Sequence, residues 1–253
     1  MISERQYRSQ IVHFGKMLHQ RGYVAATDGN LSVLCSGNRI LATPTCMSKG
    51  TLRPADVVAV DTEGRSLGGG RSVSSEIGMH LLIYKLRPDV RAIVHAHPPT
   101  ATGFAAAGLA LNQPLVCEVV IGLGSIPLAG YGTPGTPELA ESLAPLVAEY
   151  DAILMSNHGV VAYGDTLDNA YMKMETVEHF AQIALVTHLL GRQQPLGEPE
   201  LQKLFVARTN YQKARCEATS PGSDGNRQGN HSKRSLRTGR TGRTGLNVAQ
   251  SEG

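Results

Sequence analysis

Ile93-Val94-His95-Ala96-His97-Pro98 is the stretch of sequence that decides the fold and the chemistry of this chain. Apolar residues lead into His95, as in a buried β-strand, and Pro98 ends that strand directly after the second histidine. Because a strand sends residues i and i+2 to the same face, we expect the imidazoles of His95 and His97 to project side by side. Such a pair is often unremarkable, but it is also typical of one half of a metal site.

Two other segments supply the residues that would complete this site. His158 stands in Asn157-His158-Gly159, at a predicted tight turn between two apolar segments, and we expect it to be the third ligand. Glu76 follows two serines at the start of a predicted helix, and it is the best carboxylate to lie beside the metal. Three protein ligands with an open position are typical of a catalytic zinc site, so the pattern predicts Zn²⁺ or another divalent cation.

The chemistry that suits such a site is the removal of a proton next to a carbonyl group. A cation held by three neutral imidazoles is a strong Lewis acid, which polarises a bound hydroxyketone and stabilises an enediolate. Glu76 is the candidate general base. The commoner explanation for an acid at this position is a favourable interaction with the helix dipole.

A second polar group predicts a phosphate site. Hydroxyl, amide and backbone N–H groups at a turn and at a helix N-terminus can bind an anion, although each residue alone is more often a turn or cap residue. The residues are Gly29, Asn30, Thr45, Ser74 and Ser75. There is no Gly-x-x-x-x-Gly-Lys sequence, so a nucleotide P-loop is not indicated.

Hydrophobic periodicity interleaves helices with strands and predicts a mixed or antiparallel central sheet. A capping box at Ser3 and Gln6 starts the first helix, and Ser74 or Ser75 is the expected N-cap of the second. The predicted helices are 3–22, 75–87, 100–107, 136–149, 166–190 and 199–215. The predicted strands are 30–33, 39–42, 57–60, 92–94, 116–121 and 126–128. Two further apolar segments, 152–155 and 160–163, flank the predicted tight turn at His158.

Composition indicates one globular domain followed by a basic tail. The chain has 253 residues, 41% of them hydrophobic, without a transmembrane-length apolar run. The start of the chain does not resemble a secretory signal, and its four cysteines form no Cys-x-x-Cys pair, so we expect a cytoplasmic enzyme. We place the catalytic domain at residues 1–218 and a disordered Gly-, Ser- and Arg-rich tail at 219–253. We expect no membrane and no specific nucleic-acid partner, the tail being a solvated extension.

Taken together, the motifs resemble the class II aldolase family that includes fuculose-phosphate aldolase and the adducin head. The resemblance extends over about residues 5 to 190. The matching elements are Asp28-Gly29-Asn30-Leu31-Ser32, Thr43-Pro44-Thr45, Ser74-Ser75-Glu76, His95-Ala96-His97, Tyr131-Gly132-Thr133-Pro134-Gly135-Thr136 and Asn157-His158-Gly159.

The resemblance implies a three-layer α/β/α fold with a central, largely antiparallel sheet. It also implies a zinc ion held by the three histidines and, in the resting site, by Glu76, which substrate displaces. Homotetramers with active sites at subunit boundaries, and phosphate binding by Asn30, Thr45, Ser74 and Ser75, are further implications.

Three positions depart from the family pattern. Cys46 stands where the family's aldolases often have glycine. Glu118 aligns near the tyrosine that donates a proton across the subunit boundary in fuculose-phosphate aldolase, and Tyr211 is a weak substitute for a C-terminal tyrosine. The proton donor is therefore unassigned.

The expected function is a zinc-dependent aldehyde lyase. It would cleave a sugar 1-phosphate of the fuculose or ribulose phosphate type to dihydroxyacetone phosphate and an aldehyde, through a metal-stabilised enediolate. The family's 4-epimerases typically carry aspartate in place of Glu76, so glutamate favours cleavage. The alternatives are a 3-oxo-sugar-acid phosphate decarboxylase, a methylthioribulose-phosphate dehydratase and, from a different class, a non-catalytic adducin-like binding module. The full set of histidines with Glu76 argues against the module.

Overall fold

The computed structural model describes residues 2–219, and their side chains as far as residue 210. The predicted tail, apart from Thr219, lies outside these residues, as does the side chain of Tyr211. The helices are α1 Glu4–Gln20, α2 Ile77–Leu86, α3 Pro99–Ala106, α4 Cys117–Gly122, α5 Pro137–Val147, α6 Leu167–Leu189 and α7 Glu198–Thr219. The strands are β1 Asn30–Cys35, β2 Arg39–Ala42, β3 Val58–Asp61, β4 Ala92–Ala96, β5 Leu128–Ala129, β6 Ala152–Met155 and β7 Gly159–Gly164.

The strands form one sheet in the order β3-β2-β1-β4-β7-β6-β5. Five of its pairs are antiparallel, and only the short β5–β6 pair is parallel. β4 therefore lies at the centre, with Asn30 of β1 opposite His95 and Val160 of β7 opposite Ala96. This register brings the two-histidine stretch next to the start of β1 and to the β6–β7 turn.

Side chains that alternate along the strands fill two separate apolar cores. Val94 and Val160 belong to the core covered by α1, α3 and α6, whereas Ile93 and Val161 belong to the core covered by α2 and α5. Each core strand is therefore apolar on both faces, as expected for a sheet between two helical layers. The predicted three-layer α/β/α fold with a largely antiparallel sheet is confirmed.

The long helix α6 forms much of the first layer. It has 23 residues, and Met174, Val177 and Phe180 are buried against the sheet and α3. Among residues 2–219, no helix combines the length and the apolar character that crossing a membrane requires.

Two local predictions were wrong. Residues 116–121, predicted as a strand, contain the helix α4 Cys117–Gly122, whose buried Val119 and Val120 account for the apolar run. A short apolar run does not distinguish a strand from a buried helical turn. The N-cap of α2 is Glu76, not Ser74 or Ser75, and it makes no side-chain capping hydrogen bond.

Candidate metal centre and active site

Three imidazoles converge at the carboxyl end of β4. One ring nitrogen from each of His95, His97 and His158 lies within 4.8 Å of the others. The ring centroids are 4.9 Å apart for His95 and His97, 4.7 Å for His95 and His158, and 5.1 Å for His97 and His158. His95 lies in β4, His97 directly follows it, and His158 lies in the β6–β7 turn. The structure thus brings together the three residues predicted as ligands.

The Glu76 carboxylate faces this cluster from the start of α2. Its Oε1 lies 3.0 Å from His158 Nε2, and its Oε2 lies 3.3 Å from His95 Nε2. Asn30 Nδ2 donates a hydrogen bond of 2.7 Å to Oε2 and so fixes the carboxylate from the other side. Glu76 therefore lies where sequence reasoning placed it, beside the histidines.

The donor set fits a divalent cation. His95 Nδ1 lies 2.9 Å from Val160 O, and a carbonyl oxygen only accepts, so Nδ1 carries the proton and Nε2 presents a lone pair to the centre. His97 Nε2 lies 3.1 Å from that nitrogen, and Glu76 Oε1 is buried without a hydrogen-bond partner. A tetrahedral ion with bonds of about 2.0 to 2.1 Å separates its ligands by roughly 3.3 Å, close to the distances found between these groups.

Burial and the neighbouring groups together set the charges of His97 and Glu76. Burial, together with the neighbouring His95 and His158, lowers the pKa of His97 to about 3, so this ring is neutral at pH 7 and available as a ligand. Burial alone would raise the pKa of Glu76, but the adjacent His95 and His158 outweigh it and hold the pKa well below its ordinary value. The site therefore combines a neutral imidazole with an ionised carboxylate.

Two glycines allow the backbone to approach the histidines closely. A Cβ atom on Gly159 would lie 2.5 Å from Cδ2 of His97 and 2.6 Å from the Ala96 carbonyl oxygen. A Cβ atom on Gly29, whose φ is +71°, would lie 2.8 Å from the His95 carbonyl oxygen. The left-handed residue of the β6–β7 turn is Asn157, with φ of 56°, so Gly159 serves close packing and not the turn itself.

The residues proposed for phosphate binding lie on adjoining segments. The backbone N–H of Thr45 donates to Ser72 O at 3.0 Å, and that of Ser74 donates to Thr43 O at 3.2 Å. Thr43 Oγ1 in turn accepts from the Leu31 N–H, next to Asn30. These bonds bring the segments that carry Asn30, Thr45 and Ser74 next to one another. Thr45 and Ser75 are exposed, and Gly29 and Asn30 are buried.

Lys49 was missed by sequence reasoning. It is buried, and its Nζ donates to Thr27 O at 2.6 Å and to Met47 O at 2.8 Å. Burial lowers its pKa to about 8. Lys49 thus ties the loop before Gly29 to the loop after Thr45, and no sequence signal distinguishes it from a surface lysine.

His80 was also missed, although a signal exists. It follows Glu76 by four residues, at the spacing that puts two side chains on one face of a helix. Its ring is buried and contacts Asn30, the residue that holds the Glu76 carboxylate.

Comparison with known proteins assigns the chain to a family. The profile of the class II aldolase and adducin N-terminal domain matches residues 9–185. A 3-oxo-tetronate 4-phosphate decarboxylase of Escherichia coli strain K12 is 34% identical over 187 residues, covering 72% of this chain and 88% of the relative. A 5-deoxy-D-ribulose 1-phosphate aldolase of Bacillus thuringiensis serovar kurstaki is 33% identical over 199 residues, covering 78% and 92%.

A solved structure agrees with the sequence relatives. The L-fuculose-1-phosphate aldolase of Thermus thermophilus superposes with a TM-score of 0.66 at 33% identity, covering 74% of this chain and 97% of the other. The relatives that are named as aldolases support an enzyme and not a non-catalytic module. This chain belongs to the class II aldolase and adducin N-terminal domain family, and it is a metal-dependent enzyme of the aldolase type.

Proposed function

We propose that this protein is a cytoplasmic, zinc-dependent lyase that cleaves a sugar 1-phosphate to dihydroxyacetone phosphate and an aldehyde. The observation that carries the proposal is the placement of the Glu76 carboxylate, 3.0 Å from His158 and 3.3 Å from His95. A carboxylate that shares a centre with three imidazoles can serve the ion in the resting site and the substrate during reaction. The similarity to aldolases of phosphorylated sugars supports the choice of substrate class.

Different residues of the chain would bind the ion, transfer the proton and orient the carboxylate. His95, His97 and His158 would hold the ion, which, when bound, withdraws electron density from the substrate carbonyl group. In the condensing direction, Glu76 takes a proton from the carbon next to that carbonyl. In the cleaving direction, the hydroxyl group on the carbon that becomes the aldehyde gives up its proton. Glu76, having gained a proton, delivers it to the carbon that has received the electron pair of the broken carbon–carbon bond. Asn30 keeps the carboxylate oriented toward this carbon.

We propose that Asn30, Thr45, Ser74, Ser75 and the backbone of Gly29 bind the substrate phosphate. Thr45 and Ser75 present exposed hydroxyl groups, and Asn30 Nδ2 retains a second hydrogen beyond the one donated to Glu76. The ligand would be held beside the proton-transferring carboxylate.

A decarboxylase of a 3-oxo-sugar-acid phosphate is the second candidate. The decarboxylase from E. coli is as similar to this chain as the aldolases are. Loss of carbon dioxide also leaves an electron pair on the carbon next to a polarised carbonyl, so the same ligands would serve it. The two reactions differ in the product that leaves, an aldehyde or carbon dioxide.

The deciding experiment measures products. Zinc-loaded protein is incubated with fuculose 1-phosphate, ribulose 1-phosphate and 3-oxo-tetronate 4-phosphate, and dihydroxyacetone phosphate, aldehyde and carbon dioxide are quantified. We expect dihydroxyacetone phosphate and aldehyde in equal amounts from a ketose 1-phosphate. Carbon dioxide from the oxo acid, without aldehyde from either ketose, would reject the aldolase in favour of the decarboxylase.

A parallel experiment tests the phosphate pocket. The double variant Ser74→Ala, Ser75→Ala is compared with the exposed control Ser9→Ala on a ketose phosphate and on the free sugar. Each lost hydrogen bond to the charged phosphate costs about 1.5 to 3 kcal/mol, so KM for the phosphate ester should rise far more than KM for the sugar. Equal penalties on the two substrates would reject the pocket.

We also propose a homotetramer with active sites at subunit boundaries. Exposed apolar side chains lie at the end of α6 and on α7, and a cavity of about 840 Å³ opens between α3 and α6. The exposed residues are Leu185, Val186, Leu189, Leu190, Phe205 and Val206. Apolar surface of this kind supports burial against another copy. Light scattering coupled to gel filtration should give four times the mass of one chain, and a monomer would refute the assembly.

A further inference from the structure

A buried chain of hydrogen bonds leads away from Glu76 into the core between the sheet and α2. Asn30 Oδ1 lies 2.5 Å from His80 Nε2, His80 Nδ1 lies 2.6 Å from Ser32 Oγ, and that oxygen lies 2.7 Å from the Tyr84 hydroxyl. Exposed fractions are 3% for Asn30, 0% for Ser32, 1% for His80 and 8% for Tyr84. The chain is therefore shielded from water along its whole length.

The carboxylate and the buried, neutral His80 ring together fix the direction of the hydrogen bonds in this chain. Ionised Glu76 can only accept, so the Asn30 amide must present its NH₂ group to Oε2 and its carbonyl oxygen to His80. His80 Nε2 must then carry a proton. Burial is the main cause that lowers the pKa of His80, to about 3, so the ring is neutral and Nδ1 accepts from Ser32. The Tyr84 hydroxyl donates to Ser32 in turn.

The opposite orientation of the Asn30 amide would be costly. Its carbonyl oxygen would face the Glu76 carboxylate, and its NH₂ group would face the N–H of His80. Two hydrogen bonds would be replaced by two repulsive contacts in a buried network, where such contacts are costly. The Glu76 carboxylate and the Nε2–H tautomer of His80 thus favour the same orientation of the Asn30 amide, and the other tautomer would oppose it.

We propose that His80 is a positioning residue whose Nε2–H locks the Asn30 amide, so that Asn30 presents N–H donors to Glu76 and to the substrate. The role of Glu76 in proton transfer is taken from the proposed function. His80 itself touches neither the ion nor the substrate. It acts through Asn30, one hydrogen bond from the carboxylate.

The first test reads the tautomer directly and does not depend on turnover. Zinc-loaded protein labelled with ¹⁵N in histidine is recorded by long-range proton–nitrogen NMR at neutral pH, and the His80 signals are those lost in His80→Gln. We expect a neutral ring with the proton on Nε2. A proton on Nδ1, or on both nitrogens, overturns the proposal even if the enzyme is an aldolase. The expected tautomer in a protein without lyase activity would overturn the proposed function alone.

The second test separates positioning from packing. His80→Leu removes the donor to Asn30, His80→Gln retains an N–H donor, and Tyr84→Phe is the matched control because it removes only the far hydroxyl from the same helix. We expect kcat on the identified substrate to fall at least about tenfold in His80→Leu, to recover in part in His80→Gln, and to change less than about threefold in Tyr84→Phe. Metal content should stay at the parent level in all three.

Any of three kinetic results would contradict the proposal. A Tyr84→Phe enzyme as slow as His80→Leu, or a His80→Gln enzyme no faster than His80→Leu, would assign the effect to core packing. Parent-level kcat in His80→Leu would show that Asn30 keeps its orientation without a hydrogen bond from His80. If His80→Leu does not fold, the NMR tautomer and the comparison of His80→Gln with Tyr84→Phe still decide.

Discussion

The absence of a side chain at Gly159 leaves room for the candidate metal centre. Any side chain at this position would occupy the space of the His97 ring and of the Ala96 carbonyl group. The neighbouring strand β7 can approach β4 at the site only because the hydrogen atom of glycine is small. The residue next to a ligand thus has as much influence on the ligand set as its hydrogen-bond partners.

We predict that Gly159→Ala weakens metal binding by about 10- to 100-fold, the usual range for disturbing a group that orients a ligand. The added methyl group would meet His97 Cδ2 and a backbone oxygen, so the ring must move away from His95 and His158. Competition with a chromogenic chelator measures the affinity. The control is Gly103→Ala in α3, where an added Cβ meets nothing within 4 Å. Equal affinities in both variants would show that His97 does not need this space.

Glu76→Gln tests proton transfer separately from metal binding. The amide keeps the shape of the carboxylate and can still face the imidazoles, but it cannot take up a proton. We expect turnover to fall by about two orders of magnitude or more, with much of the metal retained. Solvent-deuterium exchange into dihydroxyacetone phosphate is the direct measurement. Exchange at the parent rate in this variant would remove Glu76 from the role of base.

The histidines and Glu76 could be selected from the sequence because strand alternation and helix starts are local patterns. The partners that orient these groups could not be selected in the same way. Val160 O accepts from His95 only because β4 pairs with β7 in one particular register. Lys49 is buried because two loops close around it. Such contacts depend on tertiary packing, which no periodicity in the sequence encodes.

Glu178 connects α6 to α3 immediately beyond the histidine stretch. Its carboxylate accepts the backbone N–H groups of Thr100 and Ala101, at 3.1 and 2.9 Å, and its side chain is buried. These N–H groups lie in the first turn of α3, where the helix itself offers them no acceptor. The helix begins at Pro99, two residues after His97. A charge at this end also complements the helix dipole. The start of α3 is therefore fixed by another helix and not by its own N-cap.

We predict that Glu178→Gln lowers the free energy of unfolding by about 1.5 to 3 kcal/mol, the range for hydrogen bonds to a charged group. Glutamine offers one acceptor oxygen where two N–H donors need partners. Urea unfolding of the metal-free protein isolates this effect. Glu141→Gln, on the exposed face of α5, should change stability by less than about 0.5 kcal/mol. No difference between the two variants would contradict the capping role.

Most elements could be predicted because their signals are strong. The predicted capping box at Ser3 is present, and the predicted helix 166–190 is α6, whose N-cap Thr166 accepts a hydrogen bond from the Asn169 N–H through Oγ1. The prediction of a strand at α4 was wrong because its valines favour a strand locally. Packing against α6 and α7 overrides that preference. At α2, the serines form a turn before the helix, in which Ser74 Oγ accepts from the Glu76 N–H.

The metal centre joins parts of the fold that are distant along the chain. His95 comes from the central strand and His97 from the position directly after it, whereas His158 comes from the β6–β7 turn and Glu76 from the start of α2. An ion held by all four resists separation of these elements. Binding to the folded state alone stabilises a protein by about 2.7 kcal/mol when the ion is at one hundred times its Kd.

We predict about one divalent ion per chain, most of it zinc, and a fall in Tm when a chelator removes it. His158→Ala should lose most of the metal, since it removes one of the three imidazoles, and its Tm should no longer respond to the chelator. His179→Ala, an exposed histidine of α6, is the control and should match the parent. Elemental analysis measures the metal content, and thermal unfolding with and without chelator measures Tm. Full metal content in His158→Ala would refute the ligand assignment.

The place of β4 at the centre of the sheet has a consequence for how the protein is made. Its partner β1 leaves the ribosome before it and β7 after it, and about 60 residues separate His97 from His158. At translation rates of about 5 to 20 residues per second, the two-histidine strand waits roughly 3 to 12 seconds with one edge unpaired. A nascent chain cannot assemble the three-histidine centre until residue 158 emerges. An ion that needs all three histidines would therefore be bound late in biosynthesis, and a chain broken off before β7 lacks the strand that orients His95.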